Sequence, residues 1–347
     1  MDAQATSQRA GQLLGLNYNV PDEERIGAEA RTEKYLELVK RLSHQSVVKH
    51  FDAYADIEWD SPEFKIDPDD PRFELGAEDV LGATEWYRSQ PAGVRSRIGL
   101  QLFANFMKIG VMFENVLKRG LFGFAMDLPN GSPEFRYVYH EAIEEAQHSL
   151  MFQEFVNRTG LDLPGFNGFW DRLGTSIIIS YGRRFPELFF IFVLCGEDPI
   201  DHVQRQLLHK RREEIHPLLR RIMQIHVTEE ARHLSFARHY LRRHVPEMSG
   251  WRKANLAFRA PLILGGASQM MMQASPSLIR DFHIPKEVVD RAYRKNPLHR
   301  QHMYEATSKL RSLCVELGLV NQWSVYLWRL CGIWPANELL PNATAAA

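Results

Sequence analysis

The sequence has little of what several common function classes require. Only three residues are cysteine (Cys195, Cys314 and Cys331), and scattered as they are they form neither a disulfide framework nor a C-x-x-C zinc site. Neither sign of charge is in excess: 42 Lys+Arg against 43 Asp+Glu leave a formal net charge of −1. Nothing therefore drives binding to DNA or RNA by counterion release. Long apolar runs are missing too. The longest uncharged stretch of suitable length, residues 260–279, carries two prolines and two glycines, a poor match to the ~20 apolar residues of a membrane span. The first residues lack the charged start and apolar block of a signal peptide. There is no G-x-G-x-x-G following a strand, no alternating β pattern and no solenoid repeat. These absences lead us to expect a soluble, cytoplasmic protein without a nucleic-acid partner or membrane span. Histidine, by contrast, is plentiful: 14 in 347 residues, in a chain whose 45% hydrophobic content excludes wholesale disorder.

Helical spacing of apolar residues organises most of the chain. It predicts a helix over about residues 26–48, then an irregular surface segment rich in Asp, Glu and Pro over residues 56–79. Four long helices follow, at about 92–124, 133–159, 169–214 and 217–244. The third holds Pro186 and Pro199 and several glycines, so a kink or division is expected there. Further helices are expected at about 249–273, 285–295, 297–317 and 321–330. The fold class expected is all-α: a ferritin-like four-helix bundle core with additional N- and C-terminal helices. Residues 1–91 would form an arm packed on the bundle, 92–244 the core, and 245–347 helices completing the same domain.

Two segments carry the chemistry, HEAIEEAQH at 140–148 and HVTEEARH at 226–233. Each contains Glu-x-x-His: Glu145 with His148, and Glu230 with His233. On a helix, residues three apart share a face, so carboxylate and imidazole converge. Carboxylate-bridged di-metal bundles combine two such helices with one Glu from each of two others. Glu114 is the only acidic residue of the first long helix, and Glu197 follows the apolar run Leu188–Cys195 in the third. A carboxylate in such surroundings wants a cation or a strong hydrogen-bond partner. The chain order Glu, Glu-x-x-His, Glu, Glu-x-x-His matches the bundle scheme without rearrangement. His226 adds a third histidine on the face of Glu230 and His233. Spacing leaves two doublets open: Glu144 is four before His148, and Glu229 lies four before His233, so each could replace its neighbour, although the template favours Glu145 and Glu230. Glu141 could stand behind the ligands. His202, His209, His216, His239 and His244 lie in basic stretches and are expected on solvated faces. Met270–Met272 and Phe189–Phe192 are expected in the core.

This pattern resembles the p-aminobenzoate N-oxygenase family of non-haem di-iron oxygenases, which oxidise arylamines toward nitro compounds. The mark of that family is a histidine four residues before the Glu of the last Glu-x-x-His, here His226 in HVTEEARH. The resemblance covers about residues 92–244. It implies seven metal ligands (Glu114, Glu145, His148, Glu197, His226, Glu230 and His233) and settles the doublets in favour of the Glu three residues before each His. It also implies two Fe ions, with Mn as a possible substitute, O₂ as co-substrate, a small-molecule substrate, an external electron donor and a homodimer. A C–H hydroxylase or desaturase on the same scaffold is the alternative reading, and a metal-storage bundle without oxygenase activity is the alternative from another class. The chain has roughly twice the length of a storage bundle, which argues against the latter.

Overall fold

The computed structural model describes residues 22–164, 169–210 and 212–335. The described residues contain helices and turns and no strand, as the all-α, ferritin-like expectation requires. In chain order the helices are α1 (Asp22–Val48), α2 (Glu85–Arg88), α3 (Ala92–Ala125), α4 (Pro133–Thr159), α5 (Phe169–Arg184), α6 (Pro186–Leu208), α7 (Pro217–His244), α8 (Gly250–Met271), α9 (Pro276–Asp281), α10 (Lys286–Val289), α11 (Pro297–Ala306), α12 (Ser308–Glu316) and α13 (Ser324–Leu330). The four bundle helices are α3, α4, α6 and α7: α3 lies along α4, and α6 along α7.

Local chemistry explains where these helices begin and end. Pro133, Pro186 and Pro217 each open a helix, where the missing N–H costs nothing and the fixed φ is already helical. Helix α4 stops at Gly160, in the left-handed region at φ 70°, where its N–H caps the Asn157 carbonyl. Arg242, Arg243 and His244 complement the C-terminal end of α7. The long third segment is indeed divided, because Phe185 leaves helical geometry just before Pro186. The segment expected over 297–317 is likewise two helices, meeting at Thr307.

The packing is what creates the site. At one end of the bundle, Val116, Leu117 and Leu121 of α3, Tyr137 and Val138 of α4, Leu188–Cys195 of α6 and Phe236, Ala237, Tyr240 and Leu241 of α7 share one apolar cluster. The other end has its own cluster, with Leu100, Ala104, Met107 and Val111 of α3, Met151, Phe152, Phe155 and Val156 of α4, and Leu218, Leu219, Ile222, Met223 and Ile225 of α7. Between the two, the same four helices turn buried polar residues inward: Glu114, Glu141–His148, Glu197–Gln204 and His226–His233. The segment expected at the surface over 56–79 also reaches inward, and Ile57, Trp59 and Phe73 are buried. Among the described residues no helix is long and apolar enough to cross a membrane.

Candidate metal centre

All seven carboxylate and imidazole residues singled out in the sequence lie in this polar belt, each no more than 3% exposed. The bundle brings them together as three overlapping groups: Glu114, His148 and His226; Glu145, Glu230 and His233; and Glu197, His226 and Glu230. Within each group the ligand atoms lie within 4.8 Å of one another. His226 and Glu230 belong to two groups each, so the set is one centre rather than separate pairs.

The hydrogen bonds behind the histidines fix which ring nitrogen faces inward. His148 Nε2 meets Glu229 Oε2 at 2.9 Å, leaving Nδ1 toward Glu145 (3.7 Å) and Glu230 (3.5 Å). His233 Nε2 meets Glu144 Oε2 at 2.7 Å, leaving Nδ1 toward Glu145 (2.9 Å) and Glu230 (3.0 Å). The carboxylates thus cross over: the glutamate beside each template Glu holds the histidine of the opposite motif. An imidazole that donates outward from one nitrogen presents the other as a metal donor, and a carboxylate behind it raises its basicity. Arg232 lies 2.8 Å from Glu144 and 3.5 Å from Glu229, joining the two outer carboxylates. His226 is held differently, its Nδ1 donating not to a carboxylate but to the amide oxygen of Gln204 at 2.9 Å. Its Nε2 faces Glu230 at 3.7 Å and Glu114 at 3.9 Å.

Electrostatics mark the same division. Burial alone would push Glu144 up, but its bonds to His233 and Arg232 bring it down to about 2. Glu114 goes the other way, up to about 8, because burial and the charge of Glu145 outweigh His148 and Lys118. Burial and neighbouring glutamates also push Glu197 well above the usual carboxylate range. Ser149 donates to Glu114 Oε2 at 2.6 Å and is itself contacted by Lys118. Four inward atoms nonetheless have no hydrogen-bond partner: Glu114 Oε1, Glu145 Oε2, His148 Nδ1 and Glu230 Oε2. Buried polar atoms are normally satisfied. A cluster of orphaned oxygens beside imidazole nitrogens is therefore compatible with metal binding, and a carboxylate–imidazole set suits iron. Four carboxylates also balance the charge of two divalent ions.

An apolar chamber of about 60 Å³ opens on this centre. Its polar lining is Glu114, Glu197, His226 and Gln204; the rest includes Phe103, Phe106, Met107, Phe113, Phe152 and Met271. Gly196 permits one wall, since a Cβ there would fall 1.9 Å from the Phe113 ring.

The family model for the p-aminobenzoate N-oxygenase AurF matches residues 32–318. The chain belongs to the p-aminobenzoate N-oxygenase family. At family level it is therefore a protein of the non-haem di-iron oxygenase type, and its buried groups are compatible with iron. An uncharacterized protein of Mycobacterium tuberculosis (strain CDC 1551 / Oshkosh) is 39% identical over 300 residues, covering 86% of this chain and 88% of that one. An uncharacterized protein of Mycobacterium bovis (strain ATCC BAA-935 / AF2122/97) is 38% identical with the same coverage. No solved structure matches the chain.

Several residues of the site were not read from the sequence. Gln204 lies seven residues beyond Glu197, two turns along the same face, and that spacing is the signal that could have found it. Arg232 immediately precedes His233, but its role depends on two helices at once. The N–H of Phe51, before α3 begins, donates to Glu229 Oε1 at 3.0 Å, and that of Ala53 to Gln147; no local pattern announces either. One expectation fails clearly. His216 is fully buried rather than solvated, stacked on Phe73 with ring centroids 4.7 Å apart. Met270 is exposed, so only Met271 of its run is core.

Proposed function

We propose that the protein is an O₂-dependent di-iron monooxygenase that oxygenates an amine nitrogen, arylamine to hydroxylamine or nitro product, with Glu114, Glu145, His148, Glu197, His226, Glu230 and His233 as the iron ligands. The observation that carries this reading is His226, the third histidine, facing the centre through Nε2 on the side where the apolar chamber opens. Two irons held by these residues would supply O₂ activation and oxygen transfer, with two electrons per O₂ drawn from an external donor. The chain's own part is to hold and to exclude. Glu144 and Glu229 orient His233 and His148, Gln204 orients His226, and the aromatic lining keeps bulk water from the reacting end of the substrate. An amine that enters this apolar lining does so neutral, since no carboxylate outside the ligand set faces it there. A cytoplasmic location and a homodimer belong to the same reading.

The test is to load purified protein with Fe(II), measure iron per chain, and follow O₂ uptake and product mass with 4-aminobenzoate and other anilines. About two irons per chain with amine-dependent O₂ uptake is expected. Hydroxylated ring or alkyl products would establish C–H oxidation instead, and iron uptake without substrate-dependent O₂ consumption would establish storage.

A further inference from the structure

A second chamber lies behind the first, with Phe103, Phe106, Val203 and Leu207 lining both. A partition of two aromatic and two aliphatic side chains is therefore their common wall. The chambers differ in size and chemistry. The inner one, at about 60 Å³, is the smaller and sits against the metal ligands. The outer one measures about 290 Å³ and is lined by Glu74, Glu78, Asp79, Lys210, Tyr293 and His299, among others. A substrate that extends past the partition enters this larger and more polar chamber.

The charges of the outer wall select what it accepts. Glu74 pairs with Arg95 at 2.8 Å, and Glu78 pairs with Lys210. Asp79 makes no ion pair among the described residues, and the His302 imidazole, which also lines the chamber, opposes its charge only when protonated. Asp79 Oδ1 accepts the backbone N–H of Leu81 at 2.8 Å and of Gly82 at 2.9 Å, which leaves Oδ2 for another donor. Burial pushes its carboxyl up, and the two backbone bonds only partly offset that. His299 is 6% exposed, lines the chamber and makes no hydrogen bond within the described residues. Burial pushes its imidazole down, so it offers a neutral donor or acceptor and no positive charge. The paired charges cancel, and one carboxylate remains facing the space.

We propose that the substrate is an elongated amphipathic amine: its reacting nitrogen and apolar part occupy the inner chamber, and a distal ammonium or similar hydrogen-bond-donating group is held by Asp79 in the outer chamber. The assignment of the reacting end rests on the oxygenase reading above; the assignment of the distal end rests on the outer chamber alone.

Three probes of equal reach test it: 4-(4-aminobutyl)aniline, the uncharged 4-pentylaniline and the carboxylate 5-(4-aminophenyl)pentanoate. Their affinities are measured by isothermal titration with iron-loaded and with metal-free protein. The ammonium probe should bind about tenfold more tightly than 4-pentylaniline, as a desolvated charge pair does, and the carboxylate least tightly. D79N keeps an oxygen for the backbone bonds of Leu81 and Gly82; it should abolish the tenfold preference while leaving 4-pentylaniline unchanged. V203F narrows the shared wall and should weaken the three long probes more than it weakens aniline. Equal affinities, a preference that survives D79N, tighter binding of the carboxylate, long probes indifferent to V203F, or no binding of any probe would each overturn the proposal. Failure of the oxygenase reading shows separately, as absent iron or absent O₂ uptake, and does not alter the preference measured with metal-free protein.

Discussion

The two sides of the metal centre are built from the same residue types but backed by different surroundings. On the side of His148 and His233, each outward nitrogen meets a carboxylate, Arg232 ties those carboxylates together, and the backbone of Phe51 closes over Glu229. On the side of Glu114, Glu197 and His226, the partners are neutral: the Gln204 amide behind His226, the Ser149 hydroxyl behind Glu114, and an apolar chamber beyond. The closed side gains rigid, strongly basic donors from charged support. The open side, without such support, leaves its carboxyls easily protonated and its face accessible. One half of the site is thus made to hold and the other to receive.

The largest test of this division is removal of a shared group. Glu230 belongs to two of the three ligand groups, so Glu230→Ala should lose at least half of the bound iron, measured by elemental analysis with helical content checked by circular dichroism. Next in size is Arg232→Leu. It leaves Glu144 and Glu229 buried without their common cation, a loss of about 3–5 kcal/mol by the usual cost of breaking a buried pair, read from denaturant unfolding of the metal-free protein. If stability is unchanged, the closed side does not depend on that link.

A paired comparison then separates the two sides. Glu229→Gln removes the carboxylate behind His148 and should weaken metal binding by about 10–100-fold. Gln204→Leu removes only a neutral partner and should weaken it less, with the deficit confined to one of the two ions. Competition with a chelator measures both, and equal losses would erase the distinction.

The smallest effect concerns protons. Glu114 titrates at about 8, against an ordinary value of 4.5, so between these the folded metal-free chain binds more protons than the unfolded one. Its stability therefore falls as pH rises through that window. Metal uptake strips the proton, and affinity should grow toward pH 8. Titration in buffers of different ionisation enthalpy should detect the proton released; none released at neutral pH would mean that Glu114 is already ionised. Glu144, at about 2, should contribute nothing in this range.

Much of the centre was legible before any coordinates, because its signals are local. Glu-x-x-His works through helical spacing alone, and the bounds of α4 and α7 follow from Pro133, Gly160 and Pro217. The doublets were different. Glu144 and Glu145, or Glu229 and Glu230, differ by one position, and both members can face the centre from within one helix. What separates them is the histidine on the neighbouring helix, which takes the outward carboxylate of the opposite motif. His216 misled for the same reason: its sequence neighbours are charged, but Phe73, far away in the chain, covers it.

The sequence by itself determined the helical class, the order of the four bundle helices, and the residues able to act as donors, since these depend on spacing and residue chemistry over one or two turns. Only the tertiary structure decided which nitrogen of each histidine faces inward, which side chain stands behind it, that Phe51 closes one side, and that an apolar chamber opens on the other with a larger, more polar one behind it. Those features depend on contacts between segments distant in the chain, and a donor's chemistry is completed by the neighbour that burial sets against it.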